Sequence, residues 1–528
     1  MRLGALACAL FVCISCGSPK PHGNGDAGPN GDGVIGQPDA FDGPWDDFPG
    51  APIVDSGPTD PSGLFGDPTQ GQPSGGPCLI EPEIGTLFPR NWLRPRFTWV
   101  PMGSENLFEL RITAANEKNP LVVYTQSTTW TMPAAMWAGV SSHIVDQPIT
   151  VSVRGGTLSG STLTTEEHGS SGDIRVAPAD APGAIVYWTT SGGTALRGFH
   201  VGDESVKDIL RPTDAGSQCV GCHSSTPDGT FVGFSSSQNP GNGDPTTLGM
   251  LSADGTHKAP AFLTPDAIAL MSRVNQELPV FSAQHWTAGD HVALTMWPVN
   301  NKFEIIWTNL EATSQAQGTG WGVIGRGTDA NPAAYASFAH TTDTILYVSS
   351  STVTSGVTVN HGDLMTVPYA NHAGGTPTPI SGAATSTYNE YYPTFSPDDR
   401  LVAYNRIADG ANSYNNAQAE VWIIPSAGGT PQRLAANTPP SCSGKSSPGV
   451  TNSWPKWAPA VTTVGGKRYY WVTFSSTRSA AGNPQLYVTP VVDDGVTRTT
   501  YPALYLWNQP SNENNHTPAW DNFDIPVN

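Results

Sequence analysis

The chain has 528 residues, with 44 Asp and Glu against 25 Lys and Arg and a formal net charge of −19. With so few cations, spread thinly, the composition excludes nucleic acid and anionic lipid surfaces as partners, since both need basic patches. The length is enough for two domains behind an N-terminal extension.

The first sixteen residues, MRLGALACALFVCISC, carry one Arg and then an apolar run from Leu3 to Ile14. That run is too short to span a bilayer and suits the core of an export signal. Its end, Cys13-Ile14-Ser15-Cys16-Gly17, resembles a bacterial lipoprotein signal, with Cys13 where that family usually has Leu. The resemblance implies that Cys16 is lipidated and becomes the first residue, so that acyl chains are the membrane anchor. Gly17, with no Asp after the Cys, resembles lipoproteins sorted onward to the outer membrane, facing the periplasm or the cell surface. An ordinary secretory signal is the alternative. No other stretch is long and apolar enough to cross a membrane.

Residues 17–77 are dominated by Gly, Pro and Asp, with nine Asp and Lys20 as the one Lys or Arg. Such a composition buries too little apolar surface to offset chain entropy, and a disordered spacer is expected. The Asp residues lack the D-x-D-x-D-G spacing of a calcium loop.

Between residues 78 and 178 the texture changes to short strands: "RPRFTWV", "NLFELRIT", "PLVVYTQ", "TTWTM" and "PITVSVRG". Their alternation and their spacing of roughly ten residues predict a β-sandwich. In texture this stretch resembles immunoglobulin-like or fibronectin-type modules. Trp92, Trp99 and Trp130 are read as core rather than as a sugar-binding face.

Residues 183–528 repeat themselves. "TPDGTFVGFSSS" (226–237) is echoed by "WTAGDHVALTMW" (286–297), "FAHTTDTILYVSS" (338–350) and "FSPDDRLVAYNRI" (395–407). Second strands follow in "FEIIWTNLEA", "GDLMTVPYANHAGGTPTPI" and "AEVWIIPSAGGTPQRL", and a further unit runs over 454–495. A period of about 45–60 residues, with a polar turn between two apolar strands, is what propeller blades require. Tyr392-Pro393-Thr394-Phe395-Ser396-Pro397-Asp398-Asp399 resembles the opening of a TolB-type (WD40-like) blade, with Asp399 in place of Gly. The final "HTPAWDNFDIP" (516–526) is an opening strand without successors, whereas "AIVYWTTSG" and "ALRGFHVGD" near residue 190 are later strands without an opener. Joined, they close a circle of six blades. The expected fold is therefore all-β: a sandwich followed by a six-bladed β-propeller.

Cys219-Val220-Gly221-Cys222-His223 reads as a haem c attachment site, with two thiols for the vinyl groups and a His to reach the iron. Seven Cys and twelve His in 528 residues make the pattern a chance event only about 0.002 times per chain. A Cys219–Cys222 disulfide, a zinc site and a thioredoxin-like pair are the alternatives. The TolB resemblance implies that this segment, just before the Thr226-Pro227-Asp228-Gly229 turn, lies at the mouth of the central channel. His223 is then the proximal ligand. His285 and His516, which open the neighbouring blades, and Met271 are the candidates for the second ligand. Thr264 and Pro265 predict a helix start, and a helix there would lie over the channel mouth. Cys78 and Cys442 form a possible disulfide between the sandwich and a loop of the fifth blade.

No G-x-S-x-G, H-E-x-x-H or phosphate loop is present. The reading that follows is an envelope-anchored, monomeric haem c-binding propeller, engaged in electron transfer or redox sensing with envelope or redox proteins. The alternative is a non-catalytic interaction propeller with Cys219 and Cys222 as a disulfide. An enzyme acting in the channel on carbohydrate or peptide has support only from fold analogy.

Overall fold

The computed structural model describes residues 43–238 and 246–526. The export signal, Cys16 and the first part of the spacer lie outside the described residues. The spacer expected up to Pro77 needs correction, because from Gly43 onward the chain is folded. Phe48 is 1% exposed and Phe65 0%, Trp45 stacks on His143 at 3.8 Å, and Ile53–Val54 pairs in parallel with Val123 and Tyr124. Three aromatic anchors suffice where the scarcity of aliphatics argued for disorder.

Two sheets follow. Six strands run in the order Ile53–Val54, Leu121–Thr125, Leu107–Ala114, Ile149–Ser159, Thr162–Val176 and Leu87–Phe88. Three more, Cys78–Glu81, Arg96–Val100 and Thr129–Thr131, make the smaller sheet. Leu79, Phe97 and Trp99 of the small sheet meet Leu110, Ile112 and Val151 of the large one in a single apolar cluster, which also holds Trp92 and Trp130.

The rest of the described chain is propeller-like. Six antiparallel sheets are built on six first strands: β1 (Cys219–Ser225), β2 (Glu277–Phe281), β3 (Ala333–Phe338), β4 (Tyr388–Phe395), β5 (Asn452–Trp457) and β6 (Asn515–Asp521). Each first strand packs beside the next, and β6 packs beside both β5 and β1, so the six form a ring. The ring closes because β6 pairs with Ala184–Thr189, which continues to Ala195–His200 and Lys207–Leu210. A sheet assembled from both ends of this region leaves no open edge at the closure.

Sandwich and ring share one core. Tyr187, Trp471, Leu486 and Trp520 belong to the same cluster as Trp99 and Phe108. Indole N–H groups of Trp471, Trp507 and Trp520 donate to the carbonyls of Asp180, Arg94 and Pro182 at 3.2, 3.0 and 2.7 Å. Cys78 and Cys442 are bonded across the seam, with Cα atoms 6.2 Å apart.

Candidate functional site

The site is built by a defect repeated six times. In every first strand two residues oppose one on the partner strand: 222/223, 278/279, 335/336, 392/393, 454/455 and 517/518. Pro occupies the second bulge position at 279, 393, 455 and 518, where a residue with no N–H removes nothing from the ladder. Leu278, Tyr335, Tyr392, Trp454 and Thr517 take the first position with φ between 50° and 59°, a conformation costly for bulky side chains. Cys222 and His223 stand at the matching pair in β1. The bulges turn these side chains toward the axis, and all six first positions line one cavity.

That cavity is narrow, about 50 Å³. Tyr392 stacks on Trp454 at 3.7 Å and meets Tyr335 edge-on at 4.4 Å. Both tyrosine hydroxyls donate to the Val357 carbonyl, so the small hairpin around Val353–Val359 is tied onto the aromatic cluster. His223, Ser224, Val280 and Lys456 also line a second, wider chamber of about 330 Å³, near the C-terminal ends of the first strands. This volume is at the lower end of the roughly 300–1,000 Å³ of small-molecule and cofactor sites.

Within β1, Cys219 and Cys222 are free thiols. Residues three apart on an extended strand have Cα atoms roughly 10 Å apart, beyond the roughly 4.4–6.8 Å of a disulfide. Cys222 faces the narrow cavity, and Cys219 lines neither space. Burial, together with the charge of nearby Glu277, pushes the Cys222 thiol up to about 12. His223 is 9% exposed, and burial drives its ring down to about 4, so it is neutral at pH 7. Its Nε2–H donates to the Val186 carbonyl at 3.1 Å, which leaves the lone pair on Nδ1. Nδ1 is buried and has no hydrogen-bond partner. A His that gives one N–H to a backbone carbonyl and keeps the other nitrogen bare has the form of a metal ligand.

The three other candidate ligands are elsewhere. His285 is held through both ring nitrogens, by Asp290 at 2.6 Å and Asp343 at 3.1 Å. His516 lies edge-on to Trp188 at 4.7 Å, with Nδ1 on the Thr517 hydroxyl. The helix Pro265–Met271 does form, capped by Thr264, but it packs on outer strands, against Lys302–Asn309 and Thr247–Ser252. The position expected over the channel mouth is thus corrected. The apolar side of the helix found cover between two outer strands, and Met271 is buried with Leu248 and Met250. None of the three lines a cavity with His223. Among the described residues no cluster of three or more His, Cys, Asp and Glu is placed to hold a metal.

The sequence did carry a signal for the ring. Leu278-Pro279-Val280-Phe281, Tyr392-Pro393-Thr394-Phe395, Trp454-Pro455-Lys456-Trp457 and Thr517-Pro518-Ala519-Trp520 repeat one pattern, and Tyr335-Ala336-Ser337-Phe338 is a variant. Aligning Cys222-His223-Ser224-Ser225 with it identifies the channel wall, and with it Lys456.

No protein-family model matches the chain, and no curated protein matches it. Among solved structures it is similar to hydrazine synthase of Kuenenia stuttgartiensis, with TM-score 0.39, 11% identity, and 65% of this chain and 46% of that one covered. A GH74 enzyme of Niastella koreensis gives TM-score 0.35 and 12% identity, over 61% of this chain and 45% of that one. A quinoprotein alcohol dehydrogenase-like protein of Bacteroides thetaiotaomicron gives 0.28 and 9%, over 84% and 97%. The chain spans under half the length of the first two.

Proposed function

We propose that the protein is an envelope lipoprotein, anchored through Cys16, in which an immunoglobulin-like sandwich supports a six-bladed propeller carrying one covalent haem c on β1. Its role is electron transfer or redox sensing, with envelope or redox proteins as partners. The six matched bulges and the closed ring support the blade count. One observation carries the haem reading: His223 Nδ1 is neutral, buried and without a partner, in a motif whose two thiols are free. Of the donor set, His223 lines the wider chamber, Cys222 lines only the narrow one and Cys219 lines neither. The space next to Cys222 is too small for a porphyrin, so the volume available to the cofactor is the wider chamber, with His223 on its wall. When bound, a haem c supplies one-electron chemistry tuned by its axial ligands. The chain's own contribution is to fix the His223 tautomer through Val186 and to exclude water with the aromatic cluster.

Expressed with a cytochrome c maturation system, the exported protein should carry one haem that survives denaturation and acid–acetone extraction. Its mass should exceed that of the bare chain by one haem. Cys222→Ala should sharply reduce attachment, and His223→Ala should alter the iron spectrum where haem remains. A colourless protein of unmodified mass would remove the reading.

A further inference from the structure

Two levels of the channel wall each carry a single charge. One step past the bulges the six first strands have Ser224, Val280, Ser337, Thr394, Lys456 and Ala519, of which Lys456 alone is charged. Two residues further on they have Thr226, Ser282, Ala339, Ser396, Ala458 and Asp521, of which Asp521 alone is charged. Two residues advance a strand by roughly 7 Å, and β5 and β6 are neighbours in the ring. Both charges line the wider chamber, with the anion nearer the C-terminal ends of the strands. Each lies in the other's field, but no hydrogen bond or ion pair joins them.

The surrounding groups do not supply the balance. Cys222 and His223, near Lys456, are neutral at pH 7. His340, which also faces Asp521, is held by Asp399 at 3.1 Å. Asp521 keeps one local bond, from the Asn522 N–H to Oδ1 at 2.9 Å. Burial pushes its carboxyl up to about 6 and the Lys456 amine below its usual range, so both are short of solvent. Between the two levels stand Ser225, Phe281, Phe338, Phe395, Trp457 and Trp520, all lining the chamber. A largely aromatic belt between two opposite charges fits an aliphatic body with a charge at each end. The chamber's volume of about 330 Å³ suits a ligand of that small size.

We infer that the wider chamber binds a small linear zwitterion of the ω-amino acid class, its carboxylate on Lys456 and its ammonium on Asp521. This does not rest on the haem reading. It concerns the chamber of the haem-free chain, for whose volume a haem would compete. Binding is non-covalent, with the ligand's two charges replacing water at the two side chains.

The test uses the full-length chain produced without haem maturation, titrated calorimetrically with 6-aminohexanoate, hexanoate, hexylamine and glycine. The expected result is one 6-aminohexanoate per chain, bound at least tenfold more tightly than any of the other three. Hexanoate and hexylamine each answer one charge, and glycine holds its charges too close together to reach both levels. Lys456→Met and Asp521→Asn should each weaken 6-aminohexanoate at least tenfold. Lys456→Met should leave hexylamine binding as in wild type, and Asp521→Asn should do the same for hexanoate. A single-charge probe or glycine that binds as tightly as 6-aminohexanoate would overturn the inference. So would wild-type affinity in either variant, or no binding of 6-aminohexanoate at all. If a variant does not fold, the four probes on wild type decide alone. Covalent haem in matured protein, found or absent, bears on the haem reading only.

Discussion

The seam between sandwich and ring and the wall of the channel are both lined with polar groups in largely apolar surroundings, yet they treat those groups differently. At the seam the named charged groups and three indoles are matched, although Trp99 Nε1 and the Tyr187 hydroxyl of the shared core have no partner. Arg96 meets Glu81 at 2.7 Å, Arg478 meets Glu83 at 3.4 Å, Cys78 is bonded to Cys442, and three indoles reach backbone carbonyls. On the channel wall Cys222 stays unbonded, His223 Nδ1 is unpartnered and Lys456 makes no hydrogen bond or close ion pair, with Asp521 its nearby counter-charge. Matched groups serve the fold, since leaving either partner alone in the interior is expensive. Unmatched ones cost stability, and their retention points to something outside the chain.

The contrast can be tested at its strongest point with the two cysteine pairs. Replacing Cys78 and Cys442 together by Ala opens a crosslink spanning 364 residues, so a loss of about 6 kcal/mol is expected by the loop-entropy estimate. Denaturant unfolding would show it, and reductant alone should reproduce it. The Cys219→Ala, Cys222→Ala protein, measured without haem, should stay within about 1 kcal/mol of wild type, because volume changes little and no bond is lost. Equal losses in the two double variants would abolish the distinction.

A smaller effect comes from pH. Burial holds the His223 ring at about 4, below its ordinary 6.5, so the unfolded chain binds this proton first as the solution is acidified. The stability that His223 contributes is complete above pH 6.5 and disappears as pH falls through 4, at most about 3 kcal/mol. His223→Gln does not titrate, and its stability should fall less steeply than that of wild type between pH 6.5 and 4. Parallel curves would mean that the ring is solvated. The smallest expected change is at Lys456. In the haem-free protein Lys456→Met should be neutral or more stable by about 1 kcal/mol, since an apolar side chain of similar length replaces an unpaired amine. Destabilisation by more than that would show the lysine to be matched after all.

Much of the fold was legible because it follows from local chemistry. Polar turns between alternating strands mark sheets wherever they occur, and the orphan opener at 516–526 called for the two unopened strands near residue 190, which is the pairing β6 makes. Composition misled in the spacer, because averaging over sixty residues hid what Phe48 and Phe65 bury. The helix Pro265–Met271 was legible as a helix but not in its location. Its apolar residues fit any apolar cover, and only the neighbouring sheets decide which cover is present.

The same division runs through the site. Sequence by itself determined that two thiols and an imidazole fall within five residues, and that residues near them repeat a large-residue–Pro pattern, since both are properties of covalent order. Only tertiary structure decided that Cys78 finds a partner 364 residues away while Cys219 and Cys222 find none. Bonding depends on distance in space, and an extended strand keeps near neighbours apart. Only the closure of the ring brought Lys456, more than two hundred residues downstream, into the cavities that His223 lines. No local rule encodes that approach, because it is produced by six bulges acting in register around one axis.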